Sequence, residues 1–283
     1  MSADWLGAAL SPWALGVLGL CIGSFLNVVI HRLPQMMERA WKLESAELLG
    51  IDAPETPAIT LSRPASRCPQ CGHRIRWFEN VPLVSWVVLR ARCSSCKTPI
   101  PVRYPLIELA TGVLFALLAW RFGPQPVVLA WCGFVAALIA LSGIDWDTTL
   151  LPDSLTQPLL WSGLVAAALG WTLPLATSVG GAVAGYLALW SVYWLFKLTT
   201  GKEGMGAGDF KLLAALGAWL GWQMLLPIVL GASLIGALVG IAMKLGGALR
   251  EGRYVPFGPF LAGAGLVVLF AGPDRVNGWL GWT

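Results

Sequence analysis

The sequence predicts an all-α polytopic membrane protein of about eight transmembrane helices, with a small cytoplasmic metal-binding segment between the first and the second. Three observations predict it. Apolar residues make up 57% of the 283-residue chain and charged residues only 12%, about half the usual charged share of a globular protein. Apolar runs recur that approach or reach the roughly 17–25 residues needed to cross a bilayer. The positive charge gathers in alternate loops. The composition excludes an ordinary soluble domain. The net charge of +4 reads as a topology signal and not as a nucleic-acid patch, because it is divided among loops.

The eight apolar runs are Leu10–Ile30, Leu106–Trp120, Val127–Gly143, Leu159–Leu173, Val179–Leu198, Phe210–Leu226, Ile228–Leu245 and Phe257–Ala271. Several are short or broken by Gly and Pro, so seven spans are also compatible with them. The first run lacks the basic start of a cleaved signal peptide and continues into His31 and Arg32. With Met1 outside, the cytoplasmic segments are His31–Tyr104, Ile144–Thr156, Lys197–Lys211 and Lys244–Arg253. They hold 17 of the 19 Lys and Arg residues, all but Arg121 and Arg275. Three parts follow: residues 1–33, a first transmembrane helix; residues 34–104, a cytoplasmic segment; residues 105–283, a transmembrane core.

The first span ends in Gly23-Ser-Phe-Leu-Asn27-Val-Val-Ile-His31-Arg32-Leu-Pro34. Asn27, polar among apolar neighbours, is expected to hydrogen-bond between helices. The segment that follows is expected to hold a short helix over Met36–Leu49. Farther on it carries Cys68-Pro-Gln-Cys71 and Cys93-Ser-Ser-Cys96, with 21 residues between the pairs. Two such knuckles read as a tetrathiolate structural zinc site of Cys68, Cys71, Cys93 and Cys96. Arg67, Arg74, Arg92 and Lys97 surround them and favour thiolate. Disulfides are disfavoured on a cytoplasmic face. His73 is a competing ligand that four cysteines make unnecessary. Four protein ligands leave no open position, so the metal is not expected to be catalytic. Cys21 and Cys132 lie in apolar runs and read as small core residues.

Glu108, just inside the second span, reads as the partner of a nearby arginine or as a substrate contact. The third span ends in Ile144-Asp145-Trp-Asp147-Thr-Thr-Leu-Leu-Pro152-Asp153. Asp153 or Ser154 suits an N-cap of the next helix, and Asp147 a solvated loop acid. Asp145 abuts the apolar run directly. So does Asp209, which ends Gly204-Met-Gly206-Ala-Gly208-Asp209 and opens the next run. The three alternate glycines supply backbone freedom or close approach, without the spacing and Lys-Ser/Thr end of a P-loop. An acid at the edge of a membrane segment is costly unless it has a role. The two acids are 64 residues apart and fall on one face under the charge-derived topology. A facing carboxylate pair can share a proton, with one member activating water and the other protonating or polarising a carbonyl. Helix dipoles suggest the division: Asp209, at a helix N-terminus, as the ionised base, and Asp145, near a C-terminus, as the proton-bearing partner.

Gly206-Ala-Gly208-Asp209 resembles the Gly-x-Gly-Asp motif of membrane aspartic peptidases. Together with Gly23–Pro34, the two cysteine knuckles, Arg103–Glu108, Ile144–Asp153 and Pro256–Phe260, it resembles the bacterial type IV prepilin peptidases. The resemblance covers nearly the whole chain in order and is weakest over Arg39–Leu61. It implies Asp145 and Asp209 as the catalytic pair and Cys68, Cys71, Cys93 and Cys96 as the cysteines of the cytoplasmic segment. It implies cleavage of the leader of type IV prepilins and of type II secretion pseudopilins at the cytoplasmic face of the bacterial inner membrane. It also implies N-methylation of the new N-terminal residue with S-adenosylmethionine. Partners are then these substrates and the lipid bilayer, with no nucleic acid. The alternatives are a peptidase without methyltransferase activity, an ion-coupled transporter, and a non-catalytic assembly protein.

Overall fold

A computed structural model describes residues 2–52, 58–247 and 255–281. Every named element among them is helical; two isolated β-bridges, Arg67 with Arg74 and Arg92 with Pro99, are the extended pairing. The helices are α1 (Ser2–Ala9), α2 (Pro12–Leu49), α3 (Val84–Val88), α4 (Arg103–Phe122), α5 (Val127–Thr148), α6 (Asp153–Ala168), α7 (Leu175–Thr200), α8 (Ala207–Leu220), α9 (Leu225–Leu245), α10 (Gly258–Ala271) and α11 (Pro273–Leu280). Part of the basic Lys244–Arg253 loop, and Tyr254 beside the last span, lie outside the described residues.

Each of the eight apolar runs is helical, and the chain is a multi-pass membrane protein. Five stretches are long and apolar enough to cross a bilayer: α2, α4, α5, α7 and Trp222–Leu245. Gly258–Ala271 and Pro273–Trp279, bent by 108°, form a sixth if taken together. The remaining apolar helices are short, α6 with 16 residues and α8 with 14. Three boundaries differ from expectation. The run expected to reach Leu173 stops at Ala168, just before Gly170 with its φ of 72°. The run expected to reach Leu226 stops at Leu220, because Gly221 takes a φ of 87° that ends the helix. The separate helix expected over Met36–Leu49 is the continuation of the first span. α2 runs unbroken through Pro34 to Leu49, 38 residues in all, or about 57 Å at the usual rise.

The chain divides into two compact units, Met1–Ala140 and Leu141–Thr283. In the first, α2 lies antiparallel to α4 on a row of small residues. A Cβ on Gly19 would stand 2.7 Å from the Thr111 carbonyl oxygen, and one on Gly23 would stand 2.7 Å from Glu108 Cα. Hydrogen at both places lets the backbones approach and gain dispersion contact, the main source of helix association in lipid. Asn27 makes the expected interhelical hydrogen bond, its Nδ2 donating to the Tyr104 carbonyl at 3.2 Å.

The second unit is built around α8. Asp209, Phe210 and every residue from Leu212 to Trp219 are buried, the mark of a helix covered on all sides. α7 crosses it with Gly181 against Gly217 and Gly185 against Leu213, backbone on backbone. Ser178 Oγ donates to the Ala218 carbonyl at 2.6 Å. From α6, the Leu159 carbonyl accepts the Trp219 indole N–H at 2.8 Å. On α10, Gly265 makes room for Leu216.

Candidate active site

Asp145 sits in the last turn of α5, and its carbonyl accepts the N–H of Thr149 at 2.8 Å. Asp209 sits in the first turn of α8, which starts after the N-cap Gly206. Both carboxylates are buried, both belong to the second unit, and the charge on Asp145 acts on Asp209. The structure thus brings together two acids that are 64 positions apart in the chain.

Gly258, the first residue of α10, completes the arrangement. Its N–H donates to Asp145 Oδ2 at 2.9 Å. The start of a helix, with its free N–H groups, is a natural seat for a carboxylate. Each aspartate therefore meets a helix N-terminus: Asp209 at α8, Asp145 at α10. The division of roles expected from Asp145 lying near a C-terminus misses this second helix, which packs in from 113 residues away.

Leu151 joins the two acid-bearing stretches. A Cβ on Gly208 would stand 2.7 Å from Leu151 Cβ, and one on Gly258 would stand 3.2 Å from Leu151 Cδ2. The leucine fills the space left by both glycines. A Cβ on Gly204 would stand 2.8 Å from the ring of Phe196, whereas one on Gly206 would be in the open, with Asp209 Oδ2 nearest at 3.9 Å. None of the three loop glycines has a positive φ. Gly204 and Gly208 make room for a neighbouring side chain, Gly206 stands open, and backbone freedom is not required. Asp153 does not cap α6. Pro152 is the N-cap, and the Asp153 carboxylate instead takes Lys211 Nζ at 2.6 and 2.8 Å, tying α6 to α8 two residues past Asp209. Leu151 and Gly258 were not legible as site residues. Only the glycine in Pro256-Phe-Gly-Pro, beside a helix start, hinted at close approach.

The four predicted thiols converge in the first unit. Their sulfurs all lie within 4.8 Å of one another, with Cys68 and Cys96 at 3.7 Å and Cys71 and Cys93 at 4.0 Å. Tetrahedral zinc–sulfur bonds of about 2.3 Å put sulfurs about 3.8 Å apart, so the donor set fits such an ion. The knuckles have matching backbones. The N–H of Cys68 donates to the His73 carbonyl and that of Cys93 to the Thr98 carbonyl, each at 2.9 Å. Gly72 and Lys97, each one past the second cysteine, take φ of 69° and 61°.

Local donors prepare thiolates. The Thr98 hydroxyl and N–H hold the Cys96 thiol down to about 6, and the Cys71 and Gln70 N–H groups lower Cys68. The His73 N–H also favours the Cys71 thiolate, but burial and the crowding of Cys96, Cys68 and Cys93 push it up to about 11. A cation among the sulfurs would relieve that crowding. His73 is not one of the converging donors. Its Nε2 lies 3.2 Å from both Glu79 Oε2 and Ser94 Oγ, which bridges the two knuckles. The Arg76 N–H, at 2.8 Å, and then Ser94 hold the Glu79 carboxyl down at about 2.

Glu108 is buried, and its Oε2 accepts the Leu83 N–H at 2.8 Å. The expected arginine pairing gives way here to a backbone donor, a partner that no side-chain pattern announces.

Residues 17–122 match the family described as Bacterial Peptidase A24 N-terminal domain. Residues 132–241 match the Type IV leader peptidase family. Over 265 residues the chain is 54% identical to a protein of Stutzerimonas stutzeri named Prepilin leader peptidase/N-methyltransferase, covering 93% of this chain and 92% of that one. A protein of the same name from Pseudomonas aeruginosa is 53% identical, covering 93% and 91%. One from Aeromonas hydrophila is 51% identical, covering 95% and 94%. No solved structure matches the chain.

Proposed function

The chain belongs to the type IV leader peptidase family, and from that premise we propose that Asp145 and Asp209 are the catalytic pair of a membrane aspartic endopeptidase that removes the leader of type IV prepilins and type II secretion pseudopilins. The observation that carries this reading is the burial of both carboxylates, within electrostatic reach of each other, in one apolar unit. Buried acids without a task are expensive in a membrane protein. A carboxylate pair sharing one proton can deprotonate water at one oxygen and hydrogen-bond the scissile carbonyl with the other. The Gly258 N–H fixes Asp145 Oδ2, and the open side of Gly206 leaves room beside Asp209 for an extended peptide backbone. Because each acid meets a helix N-terminus, the proton is assigned to the pair and not to one member.

The charge distribution supports a bacterial inner-membrane location with the pair at the cytoplasmic face, since 17 of 19 basic residues fall in segments of one parity. The apolar helix of a prepilin would lie in the bilayer and its basic leader in the cytoplasm. The scissile bond would then wait at the edge where Asp145 and Asp209 stand. Residues 34–104 form the cytoplasmic segment in this reading. Cys68, Cys71, Cys93 and Cys96 hold a structural zinc ion that fixes the two knuckles in place.

The relatives' names include N-methyltransferase, and the same activity is proposed here. S-adenosylmethionine would supply an electrophilic methyl group for the new N-terminal amine. The open groove along the end of α2, lined by Glu38, Trp41, Lys42, Ala46 and Ile51, does not fit that donor. Its one acid is already bound to Lys42 at 2.7 Å and is not free for ribose hydroxyls.

Cleavage of a prepilin in detergent by the wild type, Asp145→Asn and Asp209→Asn tests the pair. Each variant should unfold at the wild-type temperature and lose about 10³-fold in rate, the scale of lost acid–base catalysis. A folded variant that cleaves at the wild-type rate would remove its aspartate from the mechanism. A product heavier by one methyl group, formed only with added S-adenosylmethionine, is the expected sign of the second activity.

A further inference from the structure

α3 is a helix turned inside out. On a cytoplasmic segment the exposed face should be polar. Here it is Val84, Val87 and Val88, exposed to 57%, 67% and 72%, and their spacing of three and four puts them on one side. The other side is satisfied by its own lobe. Ser85 is buried and donates to the Phe78 carbonyl at 2.8 Å, and the Trp86 indole donates to the Ile100 carbonyl. In the turn before α3, Trp77 is 82% exposed and Phe78 also stands out.

The tie to Glu108 sets the depth of this face. Glu108 lies five residues into α4, and its carboxylate holds Leu83, the residue just before α3. α4 has 20 residues, about 30 Å, which is the thickness of the hydrocarbon core with none to spare. Its entry at Arg103 is therefore the membrane boundary, and Glu108 is inside it. Side chains on a helix lean toward its N-terminus, so the Glu108 carboxylate points back toward that boundary and holds α3 there. The antiparallel α2 agrees, since Asn27 bonds the Tyr104 carbonyl four residues before its own apolar stretch gives way to His31.

We propose that α3 is an interfacial anchor, lying in the headgroup–acyl boundary of the same bilayer that α4 enters, with Val84, Val87 and Val88 in lipid and Trp77 at headgroup level. The proposal rests on α2 and α4 as spans and is independent of the peptidase reading. Leu106 and Leu109, on either side of Glu108 in α4, are exposed as well, and Glu108 holds Leu83 beside them, so the occupant is the host bilayer. Arg76, Arg90 and Arg92 are exposed around it, as suits anionic headgroups, and tryptophan favours that depth. Three valines and an aromatic pair are far short of the roughly 800 Å² per side of a standard protein interface. The anchor would hold the tetra-cysteine lobe against the membrane surface.

The test is site-specific photo-crosslinking. p-Benzoyl-phenylalanine replaces Val88 in one full-length variant and Glu44 in another, in vesicles of phosphatidylethanolamine and phosphatidylglycerol. Glu44 is exposed on α2, 13 residues past His31 and about 20 Å farther along the helix. An unchanged unfolding temperature reports that each variant is folded. After irradiation, mass spectrometry should find phospholipid adducts at position 88 and none at position 44. Equal lipid labelling at both positions, no lipid at 88, or crosslinks from 88 only to protein would each overturn the anchor.

Discussion

A methyl group at Gly258 would stand 2.6 Å from Asp145 Oδ2. The residue also supplies the N–H that holds that oxygen, so neither partner can shift without loss of the bond. Gly258→Ala is expected to leave the fold intact and to lower leader cleavage about 100-fold, the usual penalty for displacing a reacting group by about 1 Å. Gly263→Ala, on the same helix with nothing near its added carbon, should cleave like the wild type. Initial rates on one prepilin, normalised to folded protein, check both. Asp145 and Asp209 could be picked out of the chain because an acid against an apolar run has few reasons to be there. Gly258 and Leu151 could not. Their importance lies in the space one leaves and the other fills, and complementarity between stretches about a hundred residues apart has no local signature. The four cysteines were legible for the opposite reason, since each knuckle is complete within a few residues.

Among the elements, α7 and α8 depend most on small residues. Gly181 and Gly217 meet with each glycine's carbonyl in the place of the other's missing side chain. Gly217→Ala must push the helices apart, at a cost of about 1–3 kcal/mol or more as an overpacked contact. Gly231→Ala on α9, whose nearest neighbour would be Ala264 Cβ at 3.7 Å, should be nearly neutral. Thermal unfolding in detergent, followed by tryptophan fluorescence, should show a lower midpoint for the first substitution and an unchanged one for the second. All eight apolar runs appeared as helices, since hydropathy speaks plainly where length suffices. Helix ends were less legible. Pro34 suggested a break that α2 does not make, because a bundle partner and a well-formed preceding turn can carry a helix through one missing N–H. Gly221 gave a break that composition alone placed six residues later.

Across the whole chain, the two acids lie in one compact unit and the four thiols in the other. In the unit with the acids, the central helix is short. α8 is 14 residues, about 21 Å, against a hydrocarbon core of about 30 Å. Its neighbours α6 and α10 have 16 and 14. α8 itself is covered, but α6 exposes Trp161 and Val165 and α10 exposes Val267, so short helices meet the lipid around the buried acids. The bilayer must thin there or water must dip in to meet the acids, and both responses depend on acyl-chain length. Leader cleavage in phosphatidylcholine vesicles should therefore fall as the chains lengthen from about 14 to about 22 carbons. A rate independent of chain length would show that the short helices set no mismatch. Hydrophobic mismatch of this kind makes the turnover rate a property of the protein and its lipid together, and a cell that alters its fatty-acid composition would alter its rate of leader removal without changing the amount of enzyme.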